Sequence, residues 1–293
     1  MRRIVRSEAI CLRAQDYHES SKLVTFFTLE HGKVSCLAKG ARRLRSKFGA
    51  ALDLFAQSRI IYYSHETRTL LTLSDAELVR SFSGLATEPE RFLAAEQMSE
   101  FVLRVIQPQD PSPQLYQLLL NYLTTLESLQ DPVCSLQSSG SANLQSATCN
   151  LQSSSPPPSS LLPPPYPALV CSFLLKAASF LGFRPELRRC LICRRPIESK
   201  RPAYFDPARG GIICPRCAGE NPSGARLDSA SLDTLSFLLY TPAAEIASLF
   251  PSLTPDPRPP TPLLDLVLGF LGHHFDPLVL NSFRWHAGLE RNI

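Results

Sequence analysis

Two Cys-x-x-Cys pairs constrain this chain more tightly than any other local feature. Cys190-Leu191-Ile192-Cys193 and Cys214-Pro215-Arg216-Cys217 are separated by twenty residues. This C-x2-C-x20-C-x2-C pattern lies at the upper edge of the spacing of structural four-cysteine zinc sites. Two residues between thiolates let both sulfurs of one knuckle face a single metal. The intervening Gly210-Gly211 and the strand-like Ile212-Ile213 suit a hairpin that returns to the second knuckle. Four cysteines close a tetrahedral sphere and leave no position for water, so a Zn2+ held by Cys190, Cys193, Cys214 and Cys217 is structural rather than catalytic. A redox dithiol is the competing reading. That chemistry wants one pair at a helix start in a βαβ unit, and two matched pairs argue against it. Arg188, Arg189, Arg194, Arg195, Lys200, Arg201 and Arg216 crowd the module. Part of their charge offsets the negative charge of a metal tetrathiolate, and the rest suits either a nucleic acid or an acidic partner.

The module sits late in a chain whose first part reads differently. Between residues 4 and 79 short strands are expected at Ser7–Arg13, Leu23–Thr28, Lys33–Lys39, Ser58–Tyr63 and Leu70–Leu78. Turn signals fall at Gln15–Ser20, Glu30-His31-Gly32 and His65–Arg68. Five strands in so short a stretch fit a small barrel, of which the five-stranded OB-fold is the leading form, and a small open sandwich is the competitor. From residue 81 the spacing turns helical. Apolar stripes predict helices over 90–107, 113–129 and 166–181, with Gly182 as the residue that ends the third, and further helices over 229–240 and 261–274. A last segment, 278–288, holds the only tryptophan, Trp285.

Residues 130–165 are Ser/Gln/Pro-rich and almost uncharged, with Leu-Gln-Ser recurring at 136, 144 and 151. Such a composition cannot build a packed core and is expected to be a disordered linker or insertion with polyproline stretches. The expected division is therefore 1–80 barrel, 81–129 helical, 130–165 linker, 166–187 helical, 188–220 zinc module and 221–293 helical. The fold class is α+β multidomain: an N-terminal five-stranded OB-fold barrel, then an all-α helical domain carrying an inserted four-cysteine zinc module.

Charge is distributed in blocks. The whole chain carries a net +4, but residues 1–50 hold eleven Lys/Arg against four Asp/Glu, and residues 184–226 hold ten against four. The intervening and final segments are acidic. Within the first block, Lys33, Lys39, Arg42, Arg43, Arg45 and Lys47 fall in a run with no acid between Glu30 and Asp53. A strand over Lys33–Lys39 that ends at Gly40 and opens into a cationic loop is suited to gripping a polyanion, because each cation can displace a condensed counterion from a phosphate backbone. A solvated basic loop of no special use is the bland alternative. Phe26, Phe27, Phe48, Tyr62 and Tyr63 lie nearby. Most belong in the core, with Phe48 and one tyrosine expected at the surface, where they would stack on bases.

Other candidate sites are weaker. No phosphate-binding loop, dinucleotide fingerprint, nucleophile elbow or H-E-x-x-H motif occurs. His273-His274 reads as surface or capping. Cys11, Cys36 and Cys171 read as small core residues, and Asp16, His18 and Glu19 as a polar turn. No apolar run is long enough to span a membrane, and the N-terminal residues lack the apolar core of a secretory signal. The odd count of nine cysteines suits a reducing compartment. An enzyme is not expected.

Several phrases resemble the RecO family of bacterial recombination mediators: Glu19-Ser20-Ser21-Lys22, Phe27-Thr28-Leu29-Glu30-His31-Gly32-Lys33, Lys39-Gly40-Ala41-Arg42-Arg43, Ser46-Lys47-Phe48-Gly49, and the stretch from Leu52 to Phe55. The order of barrel, helical domain and inserted zinc module agrees, and the Ser/Pro-rich segment departs from the usual pattern. The resemblance implies a non-catalytic, cytoplasmic, nucleoid-associated mediator that binds single- and double-stranded DNA and anneals complementary strands. It also implies work with RecR, contact with the single-stranded-DNA-binding protein, and help in loading the RecA filament. It places DNA contact on Lys22, Lys33, Lys39, Arg42, Arg43, Arg45 and Lys47. On physics alone, an RNA-binding or ribosome-associated zinc-ribbon protein would carry the same barrel and module.

Overall fold

The computed structural model describes residues 3–64, 70–129, 165–197, 202–219, 224–249, 262–275 and 278–283. Five strands come first: β1 (Arg3–Tyr17), β2 (Ser21–Thr28), β3 (Gly32–Ala38), β4 (Gln57–Ser64) and β5 (Leu70–Arg80). They form a closed barrel in the order β1-β2-β3-β5-β4, with β4 returning to β1. The β3–β5 pairing is parallel and the others are antiparallel, so the barrel is OB-like and the open sandwich is excluded. The expected strands all form, and β1 runs longer than anticipated. Gln15, Asp16 and Tyr17 pair with Leu23, Lys22 and Ser21, which confines the turn to 18–20.

β1 explains how the barrel joins the rest. Its run Ala9-Ile10-Cys11-Leu12 is buried throughout rather than alternating. Ala9 and Cys11 face the barrel interior with Val24, Phe26 and Ile60, whereas Ile10 and Leu12 face the helical core. Phe27 and Phe55 are also drawn into that second core, where their rings meet Tyr116 at 5.6 Å and Phe92 at 5.5 Å.

Helices α1 (Pro89–Val105), α2 (Pro113–Ser128) and α3 (Pro165–Phe180) follow. Proline opens α1 and α2, where its missing N–H is no loss. After α3, Gly182 takes φ +93° and the Phe183 N–H reaches back to the Ala178 carbonyl at 2.8 Å, the expected glycine termination. The cysteine module contains β6 (Ala203–Asp206), β7 (Gly211–Ile213), the single turn α4 (Pro215–Ala218) and β8 (Ala225–Leu227). It leads into α5 (Ser229–Tyr240), α6 (Ala243–Ser248) and α7 (Pro262–His274). The short α6 was not anticipated. Asp228 caps α5 by accepting from the Ser231 N–H at 2.8 Å. Nearly all of the Ser/Gln/Pro-rich stretch, together with the His65–Arg68 turn, Lys200, Arg201 and Trp285, lies outside the described residues.

A polar chain crosses the helical core. Tyr122 and Ser172 share a hydrogen bond of 2.7 Å, Ser172 Oγ donates to the Leu238 carbonyl, and Lys176 Nζ donates to Tyr122 Oη at 3.0 Å and to the Thr241 carbonyl. Burial pushes Lys176 down from its ordinary 10.5 to about 8. Below pH 8 both folded and unfolded chains hold this proton and the cost of burying the charge is constant. Between about 8 and 10.5 the unfolded chain keeps a proton that the folded one has released, so stability attributable to this group rises with pH. The stability of the native chain relative to Lys176→Met should therefore increase across that window when denaturation is followed at each pH.

Gly32 also makes a test of the junction. It sits at φ +64° in the β2–β3 hairpin, and a Cβ there would lie 2.5 Å from the Asp110 carbonyl oxygen and 2.8 Å from that of Gln107. Gly32→Ala should destabilise the fold by about 2 kcal/mol or more in chemical denaturation, through left-handed strain and this backbone clash.

Candidate nucleic-acid interface and metal centre

The basic residues are placed by strand register. Lys22 is paired with Ala38, one residue before Lys39. The chain then turns at Gly40 (φ +73°) into the segment 41–48. Because β3 and β5 run parallel with Leu37 beside Thr72, Ser74 lies at the same end of the barrel, and its carbonyl receives the Lys47 amine. Lys22, Lys39, Arg42, Arg43, Arg45 and Lys47 thus gather on one rim. Lys33 stands apart at the other end of β3. Its amine donates to the Leu103 carbonyl at the end of α1 at 3.1 Å, and burial, with Arg104 adding to it, lowers its pKa.

The six rim cations differ in their partners. Arg42 is structural as well as charged: Nε meets Asp16 at 3.3 Å, Nη1 donates to the His18 carbonyl at 3.1 Å, and its N–H donates to the Ser20 carbonyl at 3.0 Å. This ties the basic segment to the β1–β2 turn and gives the Asp16 carboxylate a structural role. Lys39, Arg43 and Arg45 are exposed and have no carboxylate partner among the described residues. The Ser46 N–H donates to the Arg43 carbonyl at 2.9 Å, closing a turn whose first central residue is Leu44.

Phe48 is not at the surface as expected. It is 4 % exposed and packs inside the barrel with Ala51 and Leu52, because residues 49–52 coil into a 3-10 turn that closes the barrel end. Of the two tyrosines, Tyr62 is buried, which pushes its phenol up to about 12, and Tyr63 is half-buried. The aromatic that the sequence reading overlooked is Tyr17. It is exposed beside the rim, with its ring 4.2 Å from that of His18. Its place between Asp16 and His18 at a turn was the available signal. Leu44, fully exposed between Arg43 and Arg45, was overlooked as well. Cys11, Cys36 and Cys171 are buried, and burial pushes each thiol up to about 12, as suits small core residues.

The second site is the cysteine cluster. The sulfurs of Cys190, Cys193, Cys214 and Cys217 all lie within 4.8 Å of one another. Cys193 and Cys214 are 3.8 Å apart, which is about the sulfur–sulfur edge of a tetrahedron with 2.3 Å metal–sulfur bonds. The Cys214 N–H donates to Cys190 Sγ at 3.4 Å. Burial alone would raise the Cys190 thiol, but the N–H groups of Cys214, Cys193 and Ile192 carry it down to about 6. Cys217 is pushed up to about 12 because its S–H donates to the neighbouring sulfurs, first Cys214 and then Cys193, which favours the protonated thiol. Four thiols at this separation suit a soft divalent cation that replaces their protons. The three-stranded sheet holds the knuckles: Tyr204–Asp206 pair with Gly211–Ile213, and Phe205 packs on Phe270 of α7 at 6.0 Å. His274 does not approach the cluster. It stacks among Phe183, Phe270 and Gly210.

Comparison with known families bears on both sites. Residues 1–82 match the family described as "Recombination protein O N terminal". Residues 86–137 and 161–276 match "Recombination protein O C terminal". The chain belongs to the RecO family. The gap in the second match falls within the Ser/Gln/Pro-rich stretch. Relatives called "DNA repair protein RecO" include one from Symbiobacterium thermophilum, 31% identical over 79% of this chain and 78% of its own length. Another, from Anaeromyxobacter sp. (strain K), is 30% identical over 92% and 91%. A third, from Desulfitobacterium hafniense, is 28% identical over 76% of this chain and 67% of its own length. Among the described residues no helix of this RecO-family chain is long and apolar enough to cross a membrane.

Cys193→Ser should remove one of the four candidate metal ligands and so cost metal content and thermal stability together. Elemental analysis and calorimetry of the purified variant check this, and a variant with full metal or an unchanged melting temperature would contradict it.

Proposed function

We propose that this chain is a non-catalytic mediator of recombinational DNA repair that holds DNA strands on the barrel rim and promotes their annealing. The observation that carries the reading is the convergence of Lys22, Lys39, Arg42, Arg43, Arg45 and Lys47 on one end of a closed OB-like barrel, with Lys39, Arg43 and Arg45 unneutralised by any described carboxylate. OB-folds bind oligonucleotides through the β2–β3 face and the adjoining loops, the β1–β2 turn among them. That turn is the one Arg42 fastens to the basic segment. Phosphate contacts of this kind supply affinity without reading sequence, and neutralising two strands lowers the repulsion that slows their pairing. Tyr17 offers a face on which a base can stack. Lys33 drops out of the interface because its amine is engaged with α1.

Membership of a family whose relatives are named DNA repair proteins supports the biological setting. The same membership motivates the partners RecR, the single-stranded-DNA-binding protein and the RecA filament, and a cytoplasmic, nucleoid-associated location. The metal we assign to the four cysteines is Zn2+. It would cross-link the two knuckles and supply no chemistry beyond folding.

Reversing Lys39, Arg43 and Arg45 to Glu leaves the Arg42 anchor in place and should weaken binding to single-stranded oligonucleotides of every sequence. The slope of log affinity against log salt should flatten by about 2. Unchanged binding of the triple variant would overturn the reading, and tighter binding to RNA than to DNA of the same sequence would redirect it to RNA.

A further inference from the structure

Leu44 is 107 % exposed, whereas the next most exposed large apolar side chain among the described residues is Ile4 at 61 %. Scattered surface leucines need no explanation, but this one is presented. It occupies the apex of the turn closed by the Ser46 N–H on the Arg43 carbonyl. On the N-terminal side the segment is pinned by Arg42 to Asp16, His18 and Ser20. On the C-terminal side it is pinned by the Lys47 amine on the Ser74 carbonyl and by Phe48 inside the barrel. The tip therefore cannot fold back to cover its own apolar side chain without breaking these anchors.

The two residues beside Leu44 choose its occupant. Arg43 and Arg45 are exposed, flank it directly, and face no described carboxylate. A polyanion drawn to these guanidiniums brings its backbone to both sides of the leucine. In a nucleic acid, the apolar surface lying between successive phosphates is the faces of the bases. Apolar wedges set among cations are the known means by which proteins part a base step.

We propose that Leu44 is a base-step wedge: Arg43 and Arg45 hold phosphates on either side while the leucine side chain enters between adjacent bases and interrupts their stacking. This rests on the DNA-binding reading above and deepens it. A strand held with its stack broken offers Watson–Crick edges to a complement, which is what annealing requires. The wedge makes and breaks no covalent bond.

The test uses full-length protein and an oligonucleotide carrying 2-aminopurine, whose fluorescence rises when it is unstacked. Saturating native protein should raise the emission. Leu44→Ala should bind with affinity reduced by about fivefold or less and with the salt slope of the native protein, since every cation remains. It should lose more than half of the emission rise and slow strand annealing, and Leu44→Met should restore both. A full emission rise with Leu44→Ala would overturn the wedge. So would loss of binding to phosphatidylglycerol vesicles by Leu44→Ala with no change at 2-aminopurine, which would make the tip a lipid contact. The underlying reading fails separately: it falls if the Lys39, Arg43 and Arg45 reversals leave DNA affinity intact, whereas the wedge alone falls if those reversals abolish binding and Leu44→Ala leaves the emission unaltered.

Discussion

Burial of β1 on both of its faces is the constraint from which the rest of the molecule is assembled. A strand in a small barrel ordinarily shows one face to the interior and the other to water. Here Ala9 and Cys11 fill the barrel while Ile10 and Leu12 enter the helical core, and Phe27 and Phe55 cross the same boundary from neighbouring segments. The barrel wall is thus also one wall of the helical core. Gly32, with no side chain, lets the β2–β3 hairpin press against the carbonyls of Gln107 and Asp110, and Arg80 adds hydrogen bonds to Thr124 and Glu127. Along β3 the Gly32 end is used in this joint, and the basic rim lies at the other end of that strand.

That division accounts for the behaviour of the lysines on β3. Lys33 and Lys39 are six residues apart in a strand, so they lie roughly 20 Å from each other. Lys33 is close to the joint and its amine goes to an α1 carbonyl, while Lys39 is on the rim with no carboxylate partner among the described residues. Two cations that look equivalent in a basic run serve different ends because a strand is long compared with the reach of a side chain.

The fold was legible in the sequence wherever local chemistry speaks for itself. The alternation of β3, the turn residues at Gly32, the apolar stripes of α1 and α2, Gly182 after α3 and the paired cysteines each announce their element, and each element forms. Errors occurred where a residue's environment is made by distant chain. Phe48 follows a cationic run and reads as exposed, yet the 3-10 turn after it folds across the barrel and buries the ring. Lys33 reads as part of the basic cluster until α1 is brought alongside. Tyr17 and Leu44 owe their exposure to turns whose closing hydrogen bonds no single-residue propensity encodes. The helix α6, only six residues long, is too short for its periodicity to rise above that of the flanking loop.

The seam between β3 and β5 has a consequence for how the cylinder is completed during synthesis. Among the described residues, Ser35, Cys36 and Leu37 pair across it with Leu70, Leu71 and Thr72. Every cation of the rim has left the ribosome before residue 70 emerges, so a growing chain presents its charged loop beside a β3 whose outer hydrogen-bonding edge is still bare. Until β5 slots into place, that edge is a template for any passing strand, and the density of positive charge next to it keeps like copies from using it.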